Sequence, residues 1–282
     1  MPNYVTNVLV FTADSHEQID ELIQFVKADG QPDGSFDFDK IIPVPKELKV
    51  DSGSYTDKCI CEYLSVCNNK SGNPEFDSFR NDFTVSEYKK LIDAIGKDMP
   101  LAVFDGVIYT NDVPENECSI EDVKNGKEFV GNFIKYGGFT WYDWCIKNWG
   151  TKWNSILWDQ KDYTKKPFPK YAVDICNASL YFSRTRFDTA WNPAFPVYKK
   201  LSRLFPDVLI HVLYAEEQLG IMTGVRTYKN GWVVFDTPYK NHSKEAYEFS
   251  AQILGYDLAE NGYVYDETEG TYVYKPELDT EV

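Results

Sequence analysis

Val208-Leu-Ile-His-Val-Leu-Tyr-Ala215 and, after a short break, Met222-Thr-Gly-Val-Arg-Thr-Tyr-Lys-Asn-Gly-Trp-Val-Val-Phe235 decide the fold. The first run is aliphatic and β-branched and reads as a strand. In the second, Asn230-Gly231 separates two more strands, because an Asn-Gly pair supplies the positive φ angles that a two-residue hairpin requires. Working outward, residues 178–183 read as a strand and 196–205 as a helix opened by prolines. Residues 243–254 read as a further helix, and 263–274 as one or two closing strands. The order β-α-β-β-α-β, with one extra strand, is that of a ferredoxin-like split β-α-β domain.

The N-terminal half is read from the same signals. Residues 4–11 alternate and are rich in Val, which predicts a strand. Ser15 with Gln18 forms a capping box for a helix running to about Lys27, with Ile19, Leu22, Ile23 and Val26 on one face. Residues 36–42 alternate again before Pro43 and Pro45, which predicts a second strand. Residues 86–95 read as a short amphipathic helix, and 101–109 as a strand pair turning at Asp105-Gly106 or, alternatively, a buried helix. Ser119 and Asp122 cap a helix through Lys135 that ends at Gly137, and a second helix over 140–148 stops at Gly150. The expected fold is α+β: a ferredoxin-like domain over 161–282, and a mixed α/β half over 1–160 packed on it.

Three stretches carry a resemblance. Met1-Pro-Asn-Tyr-Val-Thr-Asn7 leads into the first strand, and Phe36-Asp-Phe-Asp-Lys-Ile-Ile-Pro-Val-Pro45 follows the first helix. Trp144-Cys-Ile-Lys-Asn-Trp-Gly-Thr-Lys-Trp-Asn154 then precedes Thr189-Ala-Trp-Asn-Pro193, Leu201-Ser-Arg-Leu-Phe-Pro206 and Tyr214-Ala-Glu-Glu217. Together they resemble the YubB-like family of plasmid- and phage-encoded proteins. The resemblance implies a mobile-element origin and a ferredoxin-like C-terminal domain. It supplies no activity, and residues 50–115 carry little of it.

Composition bounds the function. Of 282 residues, 43% are hydrophobic and 16% aromatic, too apolar a mixture for a disordered chain. The net charge of -15 argues against direct binding of nucleic acid, which needs Lys and Arg to displace counterions, and against docking on an anionic membrane. Residues 3–12 lack the basic start of a signal peptide, and the six cysteines (Cys59, Cys61, Cys67, Cys118, Cys145, Cys176) lack the spacing of a disulfide scaffold. The expected compartment is the cytoplasm, with reduced thiols. Cys59, Cys61 and Cys67 lack the paired spacing of a zinc site, and no histidine lies beside them. No metal and no cofactor are expected.

The most distinctive segment is tryptophan-rich: Trp141, Trp144, Trp149, Trp153 and Trp158. Trp141 and Trp144 share a helical face, and Gly150 ends the helix. Trp149, Thr151, Lys152, Trp153 and Asn154 emerge at or past that end. One reading is a binding surface of indoles with polar contacts. The other, which the spacing favours, is a joint between the two halves. Glu216 and Glu217 end the strand from Val208 and complete the candidate binding set. Alternation aims them at opposite faces, so they make a poor acid/base pair. His16, His211 and His242 are scattered, and no nucleophile elbow or phosphate loop accompanies them. The expected function is that of a non-catalytic binding or interaction protein of a phage or plasmid, with a protein partner. The alternatives are an acidic nucleic-acid mimic that inhibits a host defence enzyme, and an enzyme with a site between the halves that uses Lys152, Glu216 or Glu217 and Asp188.

Overall fold

The computed structural model describes residues 3–29, 35–68, 73–98, 119–161 and 181–279. The chain divides into two compact units, Met1–Pro43 with Ile146–Val282, and Val44–Cys145. The division expected at residue 160 is not the one observed, because strand β1 (Tyr4–Ala13) belongs with the C-terminal part of the chain.

The physical reason lies in β1 itself. Every residue from Val5 to Ala13 is buried, so both faces of the strand need cover and it takes a central place in a sheet. It lies between β3 (Tyr181–Ala190) and β4 (Leu209–Glu216), antiparallel to both. Beyond these run β2 (Ile156–Lys161) on one side and β5 (Thr223–Lys229) and β6 (Trp232–Pro238) on the other, in the order β2-β3-β1-β4-β5-β6. Since β3 and β4 both oppose β1, they run parallel to each other with β1 between them. Helix α8 (Phe195–Leu204) joins them, which makes the split β-α-β.

The polar residues of β1 are satisfied inside the sheet, as burial demands. Thr6 donates to Asp188 Oδ1 at 2.7 Å. Asn7 donates to Val5 O and Thr189 Oγ1, and accepts from the Tyr198 hydroxyl at 2.8 Å. Helices α1 (His16–Val26) and α8 lie on the face that carries Asn7 and Phe187, where Phe187 packs 6.3 Å from Tyr198 and Phe25 of α1 packs 5.4 Å from Phe205. Helix α9 (Lys244–Leu254) covers the opposite face, setting Phe249 and Ile253 against Val8, Val10, Leu213, Ala215 and Val225.

Two sequence expectations are corrected. Residues 263–274 do not close the main sheet: β7 (Asn261–Asp266) and β8 (Thr271–Asp279) form a separate two-stranded sheet. Two of its tyrosines pack on Tyr247 of α9, Tyr263 at 5.2 Å and Tyr272 at 5.8 Å. Residues 36–42 are not a strand either; beyond one bridge between Phe36 and Lys27 they turn into the short helix α2 (Phe38–Ile41). The alternation misleads because Phe36 and Phe38 serve one aromatic cluster, lying 4.7 and 5.8 Å from Phe187. Asp37 caps that helix by accepting from the Asp39 backbone N–H.

The second unit is helical where described: α3 (Ser54–Asn68), α4 (Pro74–Asp77), α5 (Val85–Asp98) and α6 (Ile120–Tyr136). Its core gathers Ile60, Tyr63, Leu64, Leu91, Ile95, Val123, Val130 and Phe133. Ser119 caps α6 through the Asp122 N–H, and Gly137 ends it at φ 73°, as the sequence predicts. The strand pair expected over 101–109 lies outside the described residues. Helix α7 (Trp141–Trp149) contains the boundary between the units and ends at Gly150, φ 79°.

Candidate functional site

The Trp149 indole N–H donates to Ile42 O at 2.9 Å, and its ring meets Phe38 edge-on at 5.6 Å. Thr151 is buried and donates to Ala190 O at 2.8 Å. Asn154 accepts from the Phe38 and Ser155 backbone N–H groups and donates to Asp37 Oδ1 at 2.7 Å. It fastens the start of α2, and the Ser155 hydroxyl adds a bond to Phe36 O. Trp149, Thr151 and Asn154 therefore turn their polar atoms into the fold of the first unit.

Lys152 and Trp153 are placed differently. Both are half-buried, and the ammonium lies 4.8 Å from the centre of the Trp153 ring and 5.3 Å from that of Trp191, within reach of both π faces. Trp191 adopts φ 68°, a left-handed conformation that its N–H to Asn3 O bond holds at the end of β3. Glu216 and Glu217 separate as strand alternation requires. Glu216 is buried and accepts from the Asn3 side-chain amide, whereas Glu217 is exposed and its backbone N–H bonds Tyr4 O. Asp188 has its carboxyl pushed up by burial, against the Thr6 hydroxyl bond and the charge of Arg186, which pull it down; the charge of Glu217 adds to the upward push.

Three further features bear on chemistry. His211 sits between Thr12 and Thr227, its ring nitrogens 3.2 and 3.0 Å from their hydroxyls, and burial pushes its pKa down to about 4. It is a neutral core residue at physiological pH. In the second unit, Asp122 accepts from Tyr55 at 2.8 Å and Lys58 at 3.0 Å, and the Lys58 ammonium also lies 3.4 Å from Glu62. The Lys58 and Tyr55 bonds hold the Asp122 carboxyl low, while burial pushes that of Glu62 up. These groups clamp α3 to α6. Lys58 and Glu62 stand at helical i,i+4 spacing, but no spacing signal reveals Asp122, whose partners Tyr55 and Lys58 lie 67 and 64 residues away. Burial raises the thiols of Cys61 to about 11 and Cys67 to about 12, which removes thiolate character at neutral pH. Among the described residues no group of three His, Cys, Asp or Glu side chains is placed to hold a metal. No described helix is long and apolar enough to cross a membrane.

The surface feature that the sequence reading passed over is β6. Among the described residues it is the last strand of the main sheet, with no strand beside its outer edge. Trp232, Val233, Val234 and Phe235 are all exposed, Trp232 at 74%. Its one signal in the sequence is the missing alternation: a strand half-buried in a sheet seldom carries four large apolar residues in a row.

Residues 170–257 match the family described as the ferredoxin-like domain in Api92-like protein. The C-terminal domain is thus ferredoxin-like, with helices against an antiparallel sheet. The search of curated proteins found no match. Among solved structures, the crystal structure of a protein api92 from Yersinia pseudotuberculosis is similar at 12% sequence identity and a TM-score of 0.37, over 85% of this chain and 99% of that one.

Proposed function

We propose that this chain is a non-catalytic interaction protein, carried by a phage or plasmid, that binds another protein through the exposed strand β6. The observation that carries the reading is the unbroken apolar run Trp232-Val-Val-Phe235 at the open end of the sheet. A continuous apolar patch on a strand edge promotes aggregation unless a partner covers it. The mobile-element origin rests on the sequence resemblance. Within the sequence-derived binding set, Lys152, Trp153 and Glu217 offer a smaller polar-aromatic contact, while Trp149, Thr151, Asn154 and Glu216 support the fold beneath it.

The test places a photoreactive benzoylphenylalanine at position 234 and, as control, at Glu121, an exposed position in the second unit. Irradiation of cells that produce the protein is expected to give a discrete crosslinked product from position 234 and none from 121. Equal labelling from both positions, or none from 234, sinks the reading.

A further inference from the structure

The surroundings of β6 differ in charge from the rest of the chain. The chain carries a net charge of -15, yet residues 199–207 and 229–235 hold four bases (Lys199, Lys200, Arg203, Lys229) against Asp207 alone. Lys199, Lys200 and Arg203 are exposed on α8. The fold fixes Arg203 and Lys229 beside the strand. The Gly231 N–H donates to Ser202 Oγ at 2.9 Å, and Lys229 Nζ donates to Asp207 O at 2.8 Å. The Arg203 side chain lies over the turn so closely that a Cβ on Gly231 would fall 2.3 Å from its Cγ and Nε. The charge within β6 itself, Asp236, is held by Arg226 through two bonds of 3.0 and 2.7 Å. The exposed apolar run is therefore flanked at its N-terminal end by the positive charge of Arg203 and Lys229.

We infer that β6 takes an acidic, apolar protein segment, whose hydrophobic side chains cover Trp232 to Phe235 and whose carboxylates meet Arg203 and Lys229. The inference rests on the reading of β6 as the contact strand and adds the chemistry of the partner. Charge complementarity selects this occupant. A second copy of the chain brings no free carboxylate within its own run for Arg203 and Lys229, since Asp236 is held by Arg226. A nucleic acid would have to approach a strongly acidic protein as a long polyanion, whereas a short acidic segment brings its charge only to the basic rim.

The experiment uses the full chain and a short fluorescein-labelled peptide that alternates glutamate with valine, read by fluorescence anisotropy. Saturable binding is expected, weakening as salt is raised. Trp232→Ala and the pair Arg203→Glu with Lys229→Glu are each expected to lose about tenfold or more in affinity. Lys199→Glu with Lys200→Glu, on the exposed helix face, is expected to weaken binding as well and stands in if the first pair fails to fold. A valine-lysine peptide is expected not to bind. The inference is overturned if the lysine peptide binds equally, if charge reversal in a folded variant changes nothing, or if the glutamate peptide does not bind. Preferential binding of a thymidine oligonucleotide, or sedimentation as a dimer that Trp232→Ala dissociates, also overturns it. A crosslink from position 234 without peptide binding leaves the contact strand standing and removes only the partner's chemistry.

Discussion

At the scale of single residues, polar atoms decide what the tryptophan-rich segment does. Its indoles were legible in the sequence, but the partners were not: Ile42 O, Ala190 O, Asp37 and the Phe38 N–H lie far away along the chain, and no spacing rule predicts them. Asn154 shows the consequence. Asn154→Ala strands the Phe38 and Ser155 backbone donors, and unmade bonds of this kind cost about 1–3 kcal/mol. Urea denaturation is expected to show that loss, against less than about 1 kcal/mol for Lys152→Ala, whose ring contacts are half-exposed. A smaller gap between the two variants contradicts the supporting role of Asn154. His211 yields a pH dependence whose sign follows from its depressed pKa. The folded state binds the proton only near pH 4, whereas the unfolded chain binds it near the ordinary value of 6.5. The neutral ring's contribution is complete above pH 6.5 and is lost as the pH falls through 4, amounting to about 3 kcal/mol by that point. His211→Gln should remove this part of the acid sensitivity, seen as a flatter curve of unfolding midpoint against pH. An unchanged curve would show that His211 titrates normally.

At the scale of elements, what the sequence told correctly was local and what it hid was not. Caps were read correctly at Ser15, Ser119, Gly137 and Gly150, because each signal and its effect lie within one turn. The place of β1 was hidden, since its neighbours are supplied by residues about 180 and 200 positions later. The helix reading at α2 was lost because two phenylalanines of one cluster imitate strand alternation. Helix α6 shows how context divides residues that the sequence makes equal. A Cβ on Gly126 would fall 2.0 Å from the Cys59 carbonyl oxygen of α3, a backbone atom that cannot swing aside, whereas one on Gly131 meets nothing within 4 Å. Gly126→Ala is expected to cost about 3 kcal/mol or more by forcing α3 and α6 apart. Gly131→Ala is expected to add about 0.5–1 kcal/mol through helix propensity alone. Thermal unfolding followed by circular dichroism separates the two. Equal shifts would mean that α3 and α6 do not approach at Gly126.

At the scale of the whole molecule, the order of the chain and the order of the fold differ. Val44–Cys145 forms a unit of its own between two stretches that together build the other. Within that other unit Ile42 and Trp149 share a hydrogen bond, so the chain leaves and re-enters it at neighbouring points. A unit entered and left at one place can be removed without stretching what remains. Replacing residues 44–145 by a short glycine-serine linker is expected to leave a protein that unfolds cooperatively, with its near-ultraviolet dichroism retained. Residues 161–282 alone are expected not to fold, despite holding most of the ferredoxin-like domain. They lack β1, and without it β3 and β4 face an empty central position, with backbone donors and acceptors unpaired and Val8, Val10 and Phe11 missing from the core. Adding a peptide of residues 1–43 to that fragment should not suffice either, because Trp149, Thr151 and Asn154, which fasten α2 and the end of β3, are also missing. A fragment 161–282 that melts cooperatively by itself would place the boundary near residue 160 after all, and would make β1 an accessory rather than the centre of the sheet.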